Sequence, residues 1–232
     1  MDPLEGKVTL ITGAKGGLGS FVTEAFLDAG ARVVGVSRSI QPNDFSHPKF
    51  TAIPAELSNS EAARQLVEEI VARFERIDAL VHVMGGFAGG KSVAETDDAT
   101  FEKMLDLNYR SAFFISRAVL PQMRQQGGGR ILAVASRQGV EPAAMTGAYS
   151  ASKAALISLI RTIALENKDR SISANSVLPA TMDTPANRAG DPKADRAQWV
   201  QPAQVAALLV HLASDAGAQV TGAAIPVYGK QV

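Results

Sequence analysis

The sequence predicts an α/β fold: a doubly wound parallel sheet of about seven strands with helices on both faces. Three observations predict it. Short β-branched apolar runs alternate with segments of helical period along all 232 residues. The links between them are short, as expected when helices cover both faces of a parallel sheet. A glycine-rich turn follows the first apolar run, at the carboxyl end of the first strand, where such sheets bind ligands. No second core, internal repeat or low-complexity tract divides the chain, so 1–232 is expected to form a single domain.

The elements follow in order. Residues 7–12 (KVTLIT) are a buried strand ending in glycines, and 17–29 set Leu18, Phe21, Val22, Ala25 and Phe26 at helical spacing until Gly30 stops the helix. Residues 32–36 (RVVGV) form a second strand and 50–53 a weaker third. Ser58-Asn59-Ser60-Glu61 has the form of a capping box opening a helix to about Phe74. A fourth strand at 79–83 (ALVHV) runs into the glycine-rich loop 85–90. A long helical pattern covers 100–125, a fifth strand 130–135, a helix 149–167 and a sixth strand 171–178. A helix at 201–214 and a strand at 224–227 close the pattern. Residues 183–199, with two prolines and mixed charges, read as a long irregular loop and the candidate lid over a substrate site.

Composition excludes several classes of function. Lysine plus arginine and aspartate plus glutamate are each 23, so no basic surplus points to nucleic acid or an anionic membrane. There is no cysteine, which removes disulfides, thiolate metal sites and cysteine nucleophiles. His47, His82 and His211 lack metal-ligand spacing, so no metal is expected, and His82 reads as a satisfied core residue. Residues 1–6 hold two acids and a proline without a basic and apolar leader, and no apolar stretch is long enough to span a bilayer. The expected setting is the cytoplasm, and the expected partner a small molecule.

The turn Thr12-Gly13-Ala14-Lys15-Gly16-Gly17-Leu18-Gly19 lies between the first strand and first helix. Glycines there let the backbone turn tightly and let a pyrophosphate approach the helix N-terminus, whose free N–H groups and dipole favour anions. Gly13, Lys15, Gly17, Leu18 and Gly19 are therefore candidate cofactor residues, although the spacing is G-x-x-x-G-x-G and not the general G-x-G-x-x-G. The second strand ends in Ser37-Arg38, with no acid before Asp44. An acid there would accept a ribose 2′-hydroxyl, whereas a guanidinium holds a 2′-phosphate, so NADP(H) is favoured over NAD(H).

Tyr149 and Lys153 stand at i and i+4 on the helix that starts near 149, so the ammonium can lie near the phenol. A nearby cation favours phenolate and moves a group of pKa about 10 toward working pH, which suits proton exchange with an alkoxide. Ser136 directly follows the fifth strand, where a hydroxyl could donate to a substrate oxygen. Asn108 is an awkward residue for a helix interior unless its amide has a task.

These residues together resemble the short-chain dehydrogenase/reductase family, over essentially the whole chain. Thr12-Gly13, Gly17 and Gly19 fit its TGxxxGxG motif, Tyr149 and Lys153 its YxxxK pair, and Ser136 stands at the expected separation. The resemblance implies a Rossmann-type fold. It also implies Tyr149 as general acid/base, Ser136 as donor to the carbonyl oxygen, Lys153 as modulator of the phenol and ribose ligand, and Asn108 as holder of a relay water. Pro179 to Thr184 is similar to the family's PGxxxT, which places Pro179, Met182 and Thr184 on the nicotinamide side. Glu56, with Leu57 beside it, stands where the family's adenine-side acid falls. The family's NNAG is here His82-Val83-Met84-Gly85, so only Gly85 remains and the usual hydrogen bonds of the central sheet are in question.

The loop Gly85 to Gly90, with Trp199, is also similar to the dihydropteridine reductase branch, which generally lacks the serine and asparagine found here. Three readings stand: an NADP(H)-dependent carbonyl or alcohol enzyme, a dihydropteridine-type reductase, and a catalytically silent nucleotide-binding protein on the same fold. The resemblance further implies a homodimer or homotetramer through the helices at 100–125 and 149–167. Substrate loops are expected at 86–93, 138–145 and 183–199, with no anchor residue apparent.

Overall fold

The computed structural model describes residues 2–57 and 59–231. Among them, strands β1 (Val8–Thr12), β2 (Arg32–Ser37), β3 (Phe50–Pro54), β4 (Ala79–His82), β5 (Gly129–Val134), β6 (Ile172–Pro179) and β7 (Ala224–Val227) form one sheet in the order β3-β2-β1-β4-β5-β6-β7. Every pairing is parallel. The order reverses between β1 and β4, the switch point where a crevice opens beyond the strands' carboxyl ends.

Strand period places the core on both faces of the sheet. Val8 and Leu10 of β1 pack under α2 (Ser60–Phe74), α4 (Ser111–Gln125) and α5 (Gly147–Glu166), through Ile70, Ile115 and Leu156. Ile11, one residue on and so on the opposite face, packs under α1 (Gly19–Asp28) and α7 (Pro202–Ala213), through Phe26 and Leu209. The near-continuous burial of β1, β4 and β6 follows from this double cover.

The expected elements are present with shifts of one or two residues, and three differ in kind. The Asn59 side chain caps α2 by accepting from Ala62 N at 2.9 Å. Ser58, the first residue of the expected capping box, lies outside the described residues. The long helix begins at α3 (Asp98–Leu105) and reaches α4 through a π-helical turn, Asp106–Arg110, which contains Asn108. The segment 183–199 is not a bare loop. It holds α6 (Pro185–Gly190), capped by Thr184, and a single turn at Arg196–Gln198. Its two roots are joined by a parallel bridge between Met182 and Val200.

The departure at His82 is compensated. His82 Nδ1 shares a hydrogen bond with Thr12 Oγ1 at 2.8 Å, and Nε2 lies 3.4 Å from Ser111 Oγ, so one ring ties β4 to β1 and α4. Burial, with the Lys153 charge nearby, pulls its pKa from about 6.5 to about 3, and the ring is neutral. His82→Leu would leave the fully buried Thr12 hydroxyl without this partner. Chemical denaturation should read a loss of about 1–3 kcal/mol. Acid makes a second mark. Between pH 6.5 and 3 the unfolded chain binds a proton that the native ring refuses, so this group costs stability as pH falls through that window. His82→Asn cannot titrate and should show a flatter acid limb.

Candidate active site

A cleft of about 1110 Å³ opens across the switch point. Its floor is the glycine turn after β1. Gly13 has φ +73°, and a Cβ there would lie 2.8 Å from Met84 N. A Cβ on Gly19 would strike Gly13 O, and one on Gly17 would come within 3.3 Å of Thr184 Cβ. These glycines are required by close approach, and they leave a shallow cradle at the start of α1. Leu18, the N-cap, supplies no side-chain hydrogen bond, and the first turn of α1 carries no acid. A helix N-terminus left in this state suits an anion.

At the end of β2, Ser37 and Arg38 line the same cleft. Ser37 Oγ is buried without a hydrogen-bond partner, and Arg38 is exposed at the rim. Lys15 also lines it, and its Nζ pairs with Asp44 Oδ1 at 2.8 Å, which holds the Asp44 carboxyl below its usual range. A polar orphan beside a guanidinium, over a glycine cradle, fits the ribose and phosphates of a dinucleotide.

The other end of the cleft holds the titratable groups. Ser136 follows β5 as Tyr149 and Lys153 rise from the first turns of α5, and all three line the cleft. Burial pushes the Tyr149 phenol above its ordinary value, and the nearby Ser136 hydroxyl pulls the other way. The net direction is upward, opposite to that expected from the Lys153 charge. The Lys153 ammonium is buried and donates to Val134 O at 2.9 Å, and burial lowers its own pKa to about 8. The pair shares a helix face as expected, and one of the ammonium's three donors goes to a backbone carbonyl.

Asn108 is fully buried and lies outside the cleft lining. Its Oδ1 accepts from Gly86 N at 2.9 Å, and its Nδ2 donates to Gly86 O at 3.0 Å and Ser152 Oγ at 3.1 Å. The side chain clamps the loop after β4, and a Cβ on Gly85 would sit 2.8 Å from Asn108 Oδ1 and 3.2 Å from Lys153 Nζ. The amide's task is to fix backbone, which the sequence pattern alone did not reveal. Gly85, Pro179, Met182 and Thr184 line the cleft as expected. Glu56 and Leu57 do not. Ala55 N donates to Ser37 O, after which Leu57 turns into the core and Glu56 stays exposed.

Two further residues belong to the site. The Phe87 ring meets Tyr149 edge-on with centroids 4.9 Å apart. Gln231 lines the cleft and is tied down by Arg137 through its backbone carbonyl and by Thr181 through its side-chain amide. Among the described residues no group of three or more histidine or acidic side chains could hold a metal, and no helix is long and apolar enough to cross a membrane.

Comparison with known proteins agrees with this geometry. The family model described as short chain dehydrogenase matches residues 7–195. Acetoacetyl-CoA reductase of Acinetobacter sp. is 31% identical over 97% of this chain and 97% of its own. The crystal structure of a short-chain dehydrogenase/reductase from Burkholderia xenovorans superposes with a TM-score of 0.93 at 31% identity, covering 100% of this chain and 98% of that one. 3-Ketoacyl-(acyl-carrier-protein) reductase from Brucella melitensis, solved in complex with NADH, gives 0.89 at 25% identity over 98% and 99%.

Proposed function

The chain belongs to the short-chain dehydrogenase family, and on that premise we propose that it is an NADP(H)-preferring carbonyl reductase or alcohol dehydrogenase with Tyr149 as its general acid/base. The family activity is nicotinamide-dependent oxidoreduction at hydroxyl and carbonyl carbons. The observation that carries the finer reading is the phenol of Tyr149, set with the Ser136 hydroxyl in a cleft whose other end is a glycine cradle.

In this reading Gly13, Gly17, Leu18 and Gly19 receive the pyrophosphate at the start of α1. Ser37, Arg38 and Lys15 receive the 2′-phosphate, and Gly85, Lys153, Pro179, Met182 and Thr184 face the nicotinamide and its ribose. The nicotinamide, when bound, supplies a hydride to the carbonyl carbon. Tyr149 gives its proton to the carbonyl oxygen, so a ketone becomes a secondary alcohol, and it takes the proton back in the reverse direction. The raised pKa keeps the phenol protonated at neutral pH, ready for reduction. Ser136 holds the substrate oxygen within reach of that proton and steadies the phenolate left behind. Asn108 positions the site by fixing Gly86, and 183–199 covers the glycine turn through Thr184 and Pro185.

Exposed Phe101, Phe113 and Leu165 on α3 to α5 support association of identical chains through those helices. Ser136→Ala separates this reading from the dihydropteridine one. Losing a donor to a developing oxyanion costs roughly 10²–10³ in kcat. Steady-state assays should show that loss on ketones. An equal loss on a quinonoid dihydropterin, or none on ketones, would count against the role given to Ser136.

A further inference from the structure

Phe87 is an apolar side chain that the fold holds open. It is 65% exposed and lines the cleft, and its ring has close neighbours on two sides. Its edge contact with Tyr149 sets one side. On the other side Gly89 carries no side chain, and a Cβ there would lie 2.8 Å from Phe87 Cζ. The loop's root is fixed because Asn108 grips both backbone groups of Gly86. The far end is tied by Gly90 N donating to Met145 O at 2.9 Å. A ring placed this firmly beside the proton-donating phenol, with an open face, is a platform for another ring.

The charges of the cleft agree. Among the described residues lining it, Arg137 pairs with Glu141 at 2.7 Å and stacks over Tyr228, and Lys15 pairs with Asp44. Lys153 is buried on Val134 O. Arg38 is left without an ion pair, and it sits at the end of β2, across the cleft from Tyr149. Lys153 is the cation nearest the phenol, and in the reductase reading it is buried and turned to the nucleotide ribose, so no exposed cation beside Tyr149 awaits a substrate carboxylate or phosphate. The lining there continues in Pro142 and Ala143.

We propose that the substrate is a neutral ketone, or the matching secondary alcohol, with an aromatic or alicyclic ring beside the reacting carbon, and that Phe87 selects it. This rests on the reductase reading of Tyr149 and Ser136. The test compares kcat/KM for acetophenone, 2-butanone and acetoacetate at saturating NADPH in the wild type, Phe87→Ala and Phe87→Tyr. Saturation-transfer NMR on the acetophenone ring protons gives a binding readout independent of turnover. The wild type should favour acetophenone over both others. An aromatic pair corresponds to about twofold to tenfold, so Phe87→Ala should lower the acetophenone to butanone ratio by that factor and weaken the ring-proton signal. Phe87→Tyr should keep both. Using a ratio cancels any general effect of the ring on Tyr149. An unchanged ratio in Phe87→Ala, or a wild type that favours acetoacetate, overturns the inference while leaving the reductase reading intact. A wild type inert toward all three ketones overturns the reductase reading itself, and this inference with it.

Discussion

Tyr149→Phe is expected to cut kcat for ketone reduction by roughly 10²–10⁴ while leaving nucleotide affinity nearly unchanged. The substitution removes one oxygen and keeps the ring, so the edge contact with Phe87 and the packing of α5 survive. What goes is the proton donor beside Ser136. A second group shapes the pH profile. In the nucleotide-free protein Lys153 loses its charge near pH 8 because burial disfavours the ammonium. Since kcat/KM for the nucleotide reports the free enzyme, its alkaline limb should fall near that pH. Raising the pH should also speed oxidation relative to reduction, because the phenol must lose its proton to act as base. Stopped-flow reduction assays, with melting curves to show that the variant is folded, make the comparison. A variant within about tenfold of wild type would remove Tyr149 from the chemistry.

The parts legible in the sequence are those written locally. β-Branched runs, the glycine turn and the spacing of Tyr149 to Lys153 each declare themselves within a few residues, and the sheet and cleft follow. The π-helical turn at Asn108 does not. One inserted residue barely disturbs an apolar stripe over 28 residues, so the pattern reads as a continuous helix. Contacts between distant segments are equally silent. Neither His82 with Thr12 nor Phe87 with Tyr149 can be read before the strands are placed side by side. The bond from Lys153 to Val134 O is silent for the same reason: spacing puts the ammonium on the phenol's face, but only packing against β5 brings a buried carbonyl beside it. The error at 183–199 had a readable remedy. Thr184-Pro185 is an N-cap followed by proline at the first helical position, a start signal that mixed charge concealed.

Arg38→Asp is expected to move the ratio of NADPH to NADH affinities toward NADH by about 10²–10³. The Brucella relative with NADH bound has the same architecture, so the fold alone does not set the preference. The proposed preference rests on the side chains at the end of β2. Replacing the guanidinium removes a charge-assisted bond of about 1.5–3 kcal/mol and puts a like charge against the 2′-phosphate, and each 1.4 kcal/mol is tenfold. Lys15 cannot compensate. Its ammonium already answers Asp44 at 2.8 Å, and in the variant one cation would face two carboxylates. The new carboxylate would also stand beside Ser37, whose buried Oγ has no partner, in position to accept from a ribose 2′-hydroxyl. Calorimetric titration with both nucleotides at fixed salt reads the ratio directly. Because the proposed contact with the 2′-phosphate is ionic, the wild type's NADPH affinity should fall more steeply with salt than its NADH affinity, and Arg38→Asp should erase that difference. A variant that keeps the wild-type ratio would show that the 2′-phosphate is held elsewhere or not at all.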